Sequence, residues 1–218
     1  MTIGIEREPD VAATLFGDRI EVARQFTNDL GNRGEELGLI GPLEPPRLWT
    51  RHIINCVLVA PLLKPGVTGD VGSGAGLPGL VLAIARPDVH LVLIEPMERR
   101  VDWLTSESAA LGLDNVTVVR ARAEDAPYSD MLDQVTARAV TALSKLIPAT
   151  AHLLKPGGEM VFMKGSRVTD EVDAAAKVLV TLLVPIAWGI VSSWVFDRLS
   201  AVRECRPRVA VVPEKTER

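Results

Sequence analysis

Apolar positions along this chain of 218 residues follow two rhythms. After a loose tail over residues 1–9, Val11, Leu15, Val22, Phe26 and Leu30 recur at helical spacing, with Asp10 placed as an N-cap. Residues 31–46 are rich in Gly and Pro and read as a loop, and a second helix is predicted over 47–63, stopped by Lys64-Pro65-Gly66. Beyond Gly66 short apolar runs alternate with amphipathic stretches. Strands are predicted at 67–71, 89–95, 116–120, 134–137, 158–163 and 208–212, and helices at 77–85, 97–111, 141–154 and 168–183. A run such as VHLVLIE, ending at Glu95, has no polar face, as expected of a strand covered on both sides. Strands spaced by helices predict an α/β chain: a parallel sheet with helices on both faces. The expected organisation is a helical extension over 1–66, a sheet domain over 67–213 and a charged tail over 214–218.

Composition narrows the function classes. Hydrophobic residues at 47% and charged residues at 24% exclude collagen-like, low-complexity and wholly disordered chains. Two cysteines, Cys56 and Cys205, are too few for a disulfide scaffold or a cysteine zinc cluster. Between Lys177 and Asp197 lies an uncharged run, VLVTLLVPIAWGIVSSWVF. It approaches the ~20 residues of a membrane span, but Pro185, Gly189, Ser192 and Ser193 interrupt it and no basic cluster flanks it. A helix ending at Val184, a turn at Pro185 and a buried strand account for it without a membrane. The start, MTIGIEREPD, lacks the apolar core of a secretion signal, so a reducing cytoplasm is the expectation. A net charge of −4 speaks against a generic polyanion binder, yet 18 of the 24 cationic residues are arginines, which suit bidentate contacts to phosphate and guanine.

The candidate chemistry sits between the first strand and its helix, in Thr68-Gly-Asp70-Val-Gly72-Ser-Gly74-Ala-Gly76-Leu-Pro-Gly79. Glycines there permit a tight turn and close approach of a ligand to the backbone. Glu95 ends the second strand 21 residues after Gly74, where a carboxylate can accept both hydrogen bonds of a ribose diol. Two cofactors share these features. Gly74-Ala-Gly76-Leu-Pro-Gly79 matches the GxGxxG dinucleotide fingerprint, a weak signal alone. S-adenosylmethionine has the same ribose and adenine, no pyrophosphate, and an ammonium that wants a nearby carboxylate. Asp70 supplies one where a pyrophosphate would be repelled, and so favours the sulfonium cofactor. After the third strand, Arg122-Ala123-Glu124-Asp125 offers an acid for the adenine amino group and the Ala123 backbone for a ring nitrogen. The turn Leu154-Lys-Pro-Gly-Gly-Glu159 resembles the LKPGG turn of class I methyltransferases.

The acceptor is narrowed by what is missing. There is no Asn/Asp-Pro-Pro-Tyr/Phe motif for exocyclic amines and no Pro-Cys or Thr-Cys loop for attack on a pyrimidine. His52, His90 and His152 show no metal-ligand spacing, and no metal is expected. An acceptor atom with a ready lone pair is preferred, and guanine N7 is one, since it carries no proton for a base to remove.

The block DVGSGAGLPGLVLAIARPDVHLVLIEPMERRVDWL, followed by VVRARAED and ARAVTAL, closely resembles the glucose-inhibited division protein B family, the bacterial 16S ribosomal RNA guanine-N7 methyltransferases. Gly76-Leu77-Pro78-Gly79, the closing Arg86-Pro87 and the upstream Arg51-His52-Ile53 carry the likeness, which covers about residues 39 to 165. It implies a Rossmann-like class I S-adenosylmethionine-dependent methyltransferase fold with an N-terminal helical extension. It also implies methylation of a guanine in the 530 loop of 16S rRNA, as naked RNA or within the small ribosomal subunit. Carried over residue by residue, cofactor contacts fall on Gly72, Leu77, Ala123, Glu124 and Arg138, joined by Asp70, Gly74 and Glu95 on the argument above. Arg138 follows the fourth strand, at the edge where open α/β sheets bind ligands, and is the expected catalytic residue; a salt bridge to Glu124 or Asp125 is its alternative role. Arg51, His52, Lys164 and Arg208 are the candidates for RNA contact. After about residue 166 the chain departs from the family, with Glu204-Cys-Arg206-Pro-Arg208 in place of a Gly-x-Arg-His turn. Three further readings stand beside this one: a small-molecule methyltransferase, a nicotinamide-dependent oxidoreductase and a non-catalytic RNA-binding module.

Overall fold

The computed structural model describes residues 4–138 and 140–164, together with the backbone of 208–213. The helix expected over 168–183, the uncharged run before Asp197, Cys205, Arg206 and the tail 214–218 lie outside the described residues. Six parallel strands form one sheet in the order β3-β2-β1-β4-β5-β6. They are β1 (Gly66–Val71), β2 (Val89–Ile94), β3 (Val116–Val119), β4 (Leu132–Arg138), β5 (Leu154–Lys164) and β6 (Arg208–Pro213). The helices are α1 (Val11–Phe16), α2 (Ile20–Arg33), α3 (Asn55–Val57), α4 (Gly79–Ala85), α5 (Glu98–Ala110) and α6 (Leu143–Ala151). This is the Rossmann-like arrangement expected, with the strand order reversing beside β1.

Alternation along the strands builds a core on each face. On β2, Leu91 and Leu93 enter one apolar cluster with α4, α5 and the N-terminal helices, while Val92 and Ile94 enter the other with α6. On β5, Val161 and Met163 join the first cluster, Met160 and Phe162 the second. The runs lack a polar face because both faces are covered. The first cluster is continuous with the extension: Phe26, Leu30, Leu48 and Ile53, all buried, share it with Leu80, Leu82 and Leu104.

Polar ties fasten the extension to the sheet. Arg86 Nη1 donates to the carbonyls of Ala60 and Leu63 at 2.7 and 2.6 Å. Gln134, at the start of β4, accepts from the Lys64 amide at 2.7 Å and donates to Leu62 O at 3.0 Å.

Local form departs from expectation in four places. The first predicted helix is two, because Gly17 (φ 51°, ψ −129°) breaks it, and Asp10 makes no side-chain capping bond. The second predicted helix is a π-helical segment over Leu48–Ile54 running into α3 and then a 3-10 turn at Ala60–Leu62. Pro78 stands just before α4 rather than inside its first turn. The Lys155-Pro-Gly-Gly turn is absorbed into β5 as a bulge, since pairing runs from Leu132–Leu154 directly to Gln134–Glu159. Among the described residues no helix is long and apolar enough to cross a membrane, and no cluster of ligating side chains could hold a metal.

Candidate functional site

The loop leaving β1 lies where the strand order reverses, with β2 on one side and β4 on the other. Its geometry needs glycine at two points. Gly72 has φ 71°, and a Cβ there would stand 2.8 Å from Val140 Cγ2, so the segment after β4 presses on the loop's start. Gly74 has φ 56°, and a Cβ there would meet only Gly72 O, at 3.7 Å, leaving the crest of the loop open.

Two buried carboxylates hold this loop. Asp70 Oδ2 accepts from the Gly79 amide at 3.0 Å, pinning the start of α4. Its Oδ1 is buried and, among the described residues, has no hydrogen-bond partner. Burial pushes the Asp70 pKa up to about 7; the neighbouring Glu95 charge adds to this, while the Ser73 hydroxyl and the Gly79 amide oppose it. Glu95 Oε2 accepts from the Gly74 amide at 2.9 Å and Oε1 from the Met97 amide at 3.0 Å. Each of those oxygens keeps a second lone pair. Trp103 is a third brace: its indole N–H donates to Ala75 O at 3.1 Å, and the Arg33 guanidinium lies 5.2 Å above its ring. Thus α2 supports the loop through α5.

At the end of β4, Arg138 meets the extension. Its Nη1 lies 2.9 Å from His52 Nδ1, and its Nη2 donates to Arg51 O at 3.2 Å. His52 Nε2 lies 2.5 Å from Glu44 Oε2. The other Glu44 oxygen takes Arg47 Nη2 at 2.5 Å. Burial and the Arg138 charge hold the His52 pKa below its ordinary value, against the pull of Glu44.

The sequence profile of rRNA small subunit methyltransferase G matches residues 19–185. The chain belongs to the rRNA small subunit methyltransferase G family. A ribosomal RNA small subunit methyltransferase G from Clavibacter sepedonicus is 69% identical over 80% of this chain and 83% of its own. One from Leifsonia xyli is 67% identical over 81% of this chain and 85% of its own. Among solved structures, a SAM-dependent methyltransferase from Aquifex aeolicus aligns with 53% of this chain and 65% of its own, at 21% identity and a TM-score of 0.44.

In this member of the methyltransferase G family, the residues singled out from the sequence are only partly brought together. Asp70, Gly72, Gly74 and Glu95 gather at the loop, and Leu77 packs half-buried beside them. Asp70, expected beside a ligand ammonium, lies wholly beneath the loop as a brace. Ala123 and Glu124 form a 3-10 turn past β3, Glu124 exposed. The partners of Arg138 include His52 and the Arg51 carbonyl. Lys164, expected to hold a phosphate, is 8% exposed and gives its ammonium to Thr141 O at 2.6 Å. Arg208 opens β6, its backbone in register with Glu159 of β5. Glu44 and Trp103 were missed. A tryptophan inside a helix needs an acceptor for its N–H, which is a signal; Glu44, eight residues from His52, gave none.

Proposed function

We propose that this chain transfers a methyl group from S-adenosylmethionine to N7 of a guanine in the 530 loop of 16S rRNA, with the small ribosomal subunit as partner and the cytoplasm as its place of work. The observation that carries the reading is the glycine loop held by Asp70 and Glu95 at the strand-order reversal, in a chain of the methyltransferase G family. The arrangement fits the cofactor on its own terms. The loop is open at Gly74, and Asp70 in the strand leading into it keeps a buried carboxyl oxygen with no partner among the described residues, a pair of features that suits a cationic ligand better than a pyrophosphate. When bound, the cofactor supplies a methyl group activated by a sulfonium.

The chain's residues would divide the remaining work. Glu95 accepts from the ribose hydroxyls with its spare lone pairs, and the positive charge of the ammonium draws Asp70, below the loop, into its ionised form, so that the two attract. Ala123 and Glu124 flank the adenine. Arg138 orients the guanine through O6, leaving the N7 lone pair open for in-line attack. No residue needs to remove a proton, because N7 carries none. Arg51 would bring the extension to the RNA.

The test is transfer of labelled methyl from S-adenosylmethionine to unmethylated small subunits, their naked RNA and a metabolite extract. Label at one 7-methylguanosine in the 530 loop is the expected result. Label confined to small molecules would overturn the RNA reading and keep the fold.

A further inference from the structure

The contacts of Arg138 define a chain of groups reaching back into the N-terminal extension. Arginine only donates, so the 2.9 Å contact with His52 Nδ1 requires a lone pair on that nitrogen. The ring proton then resides on Nε2 and is donated to Glu44 Oε2, 2.5 Å away. One protonation state satisfies the whole arrangement: carboxylate, neutral Nε2–H imidazole, guanidinium. The ring and the carboxylate are largely buried, their side chains 12% and 19% exposed. His52 lies in the last turn of the π-helical segment, a form that recurs at functional positions. The imidazole and the Arg51 carbonyl are both neutral acceptors. Each fixes one guanidinium nitrogen without discharging it.

We propose that Glu44 and His52 are positioning residues that hold Arg138 in register for methyl transfer, so that the cleft is completed by the extension. The proposal rests on the reading that Arg138 touches the cofactor or the guanine. It separates His52 from simple RNA contact: the imidazole faces inward, and its lone pair is used up on Arg138. Protonating Nδ1 would replace that acceptor with a donor aimed at a cation. The charged groups facing the ring are Glu44 from the preceding loop, Arg51 from its own segment and Arg138 from β4.

Two measurements on the full chain test this. The first needs no turnover: long-range proton–nitrogen NMR of the three histidines. We expect His52 as the Nε2–H tautomer, with its titration midpoint rising in Arg138→Ala. An Nδ1–H tautomer, or a midpoint unmoved by Arg138→Ala, overturns the contact. The second is single-turnover methylation of small subunits lacking the methyl group. His52→Asn places an amide oxygen near the Nδ1 position and should retain most of the rate. His52→Gln keeps a donor for Glu44 but no acceptor for Arg138, and should lose at least about tenfold, with cofactor affinity within about twofold. The wild-type rate should fall as pH drops through the His52 midpoint, and this acid limb should vanish in His52→Asn. A wild-type rate in His52→Gln beside a dead Arg138→Ala overturns the positioning role. A wild-type rate in Arg138→Ala overturns instead the reading of Arg138 on which it rests.

Discussion

Replacing Asp70 with asparagine tests the electrostatics beneath the glycine loop. The Asp70 carboxyl is wholly buried and its pKa is pushed up to about 7. In the unfolded chain it ionises near ~3.9, so between those values the folded state holds the extra proton. The stability it contributes is therefore full below pH ~4 and is lost as pH rises through 7. Three pK units correspond to about 4 kcal/mol in all, of which about 1.4 kcal/mol disappears between pH 6 and 8. The Asp70→Asn side chain would keep an oxygen for the Gly79 amide and abolish the titration. Its amide nitrogen would take the place of the unpartnered Oδ1, so the variant loses about 1–3 kcal/mol at pH 6. The slope, not the level, is what decides. Urea unfolding at pH 6, 7 and 8 should show the wild type losing about 1.4 kcal/mol more than Asp70→Asn across that range. Glu107, raised to about 7 by burial and by Asp29, and His52, lowered, titrate in both proteins and cancel in the comparison. Equal slopes in the two proteins would refute the placement of a neutralised acid under the loop.

Other substitutions probe the braces. Gly79→Ala would drive a Cβ to 2.4 Å from Leu93 Cδ2 and 2.5 Å from Asp70 Oδ2. It should cost about 1–3 kcal/mol in denaturant unfolding, and a neutral result would mean α4 is not packed this tightly on β2. Trp103→Phe removes the donor to Ala75 O and should cost about 1 kcal/mol while weakening S-adenosylmethionine in calorimetry; unchanged affinity would detach this brace from the cofactor. Glu95→Gln turns one acceptor into a donor facing a backbone N–H. Cofactor affinity should fall by about tenfold or more, and unaltered affinity would remove Glu95 from the binding site.

The sheet was legible because its information is local. Each strand carries its own apolar run, and each turn its glycines or prolines, so all six strands are read within a few residues. The loop was legible for the same reason. The errors fall where distant residues decide. No short-range pattern distinguishes a π-helical segment from an α-helix over Leu48–Ile54, whose Leu48 and Ile53 share a buried cluster with Leu80 and Phe26. Lys155-Pro-Gly-Gly reads as a turn, but β4 beside it draws the segment into the sheet as a bulge. The bond from the Lys164 ammonium to Thr141 O is likewise set by a residue more than twenty positions away. Glu44 is invisible to any motif: it meets His52 eight residues on, and the His52–Arg138 contact that gives the pair its place forms only once β4 docks.

The shared core has a consequence for how the chain is made. Helices α1 and α2 emerge from the ribosome before the sheet, yet part of the cluster they join belongs to α4, β2 and α5. Ile94 is synthesised roughly sixty residues after Arg33, a wait of ~3–12 s at ~5–20 residues per second. Through that interval Phe26 and Leu30 have α1 and the Leu48–Ile54 segment beside them but lack the side of their cluster that α4, β2 and α5 supply. The nascent extension is therefore a natural client for a chaperone, and its apolar stripe is a signal that the sheet has not yet arrived. A chain stalled before β2 would stay open to proteolysis along α2, whereas one released beyond α5 would close around it.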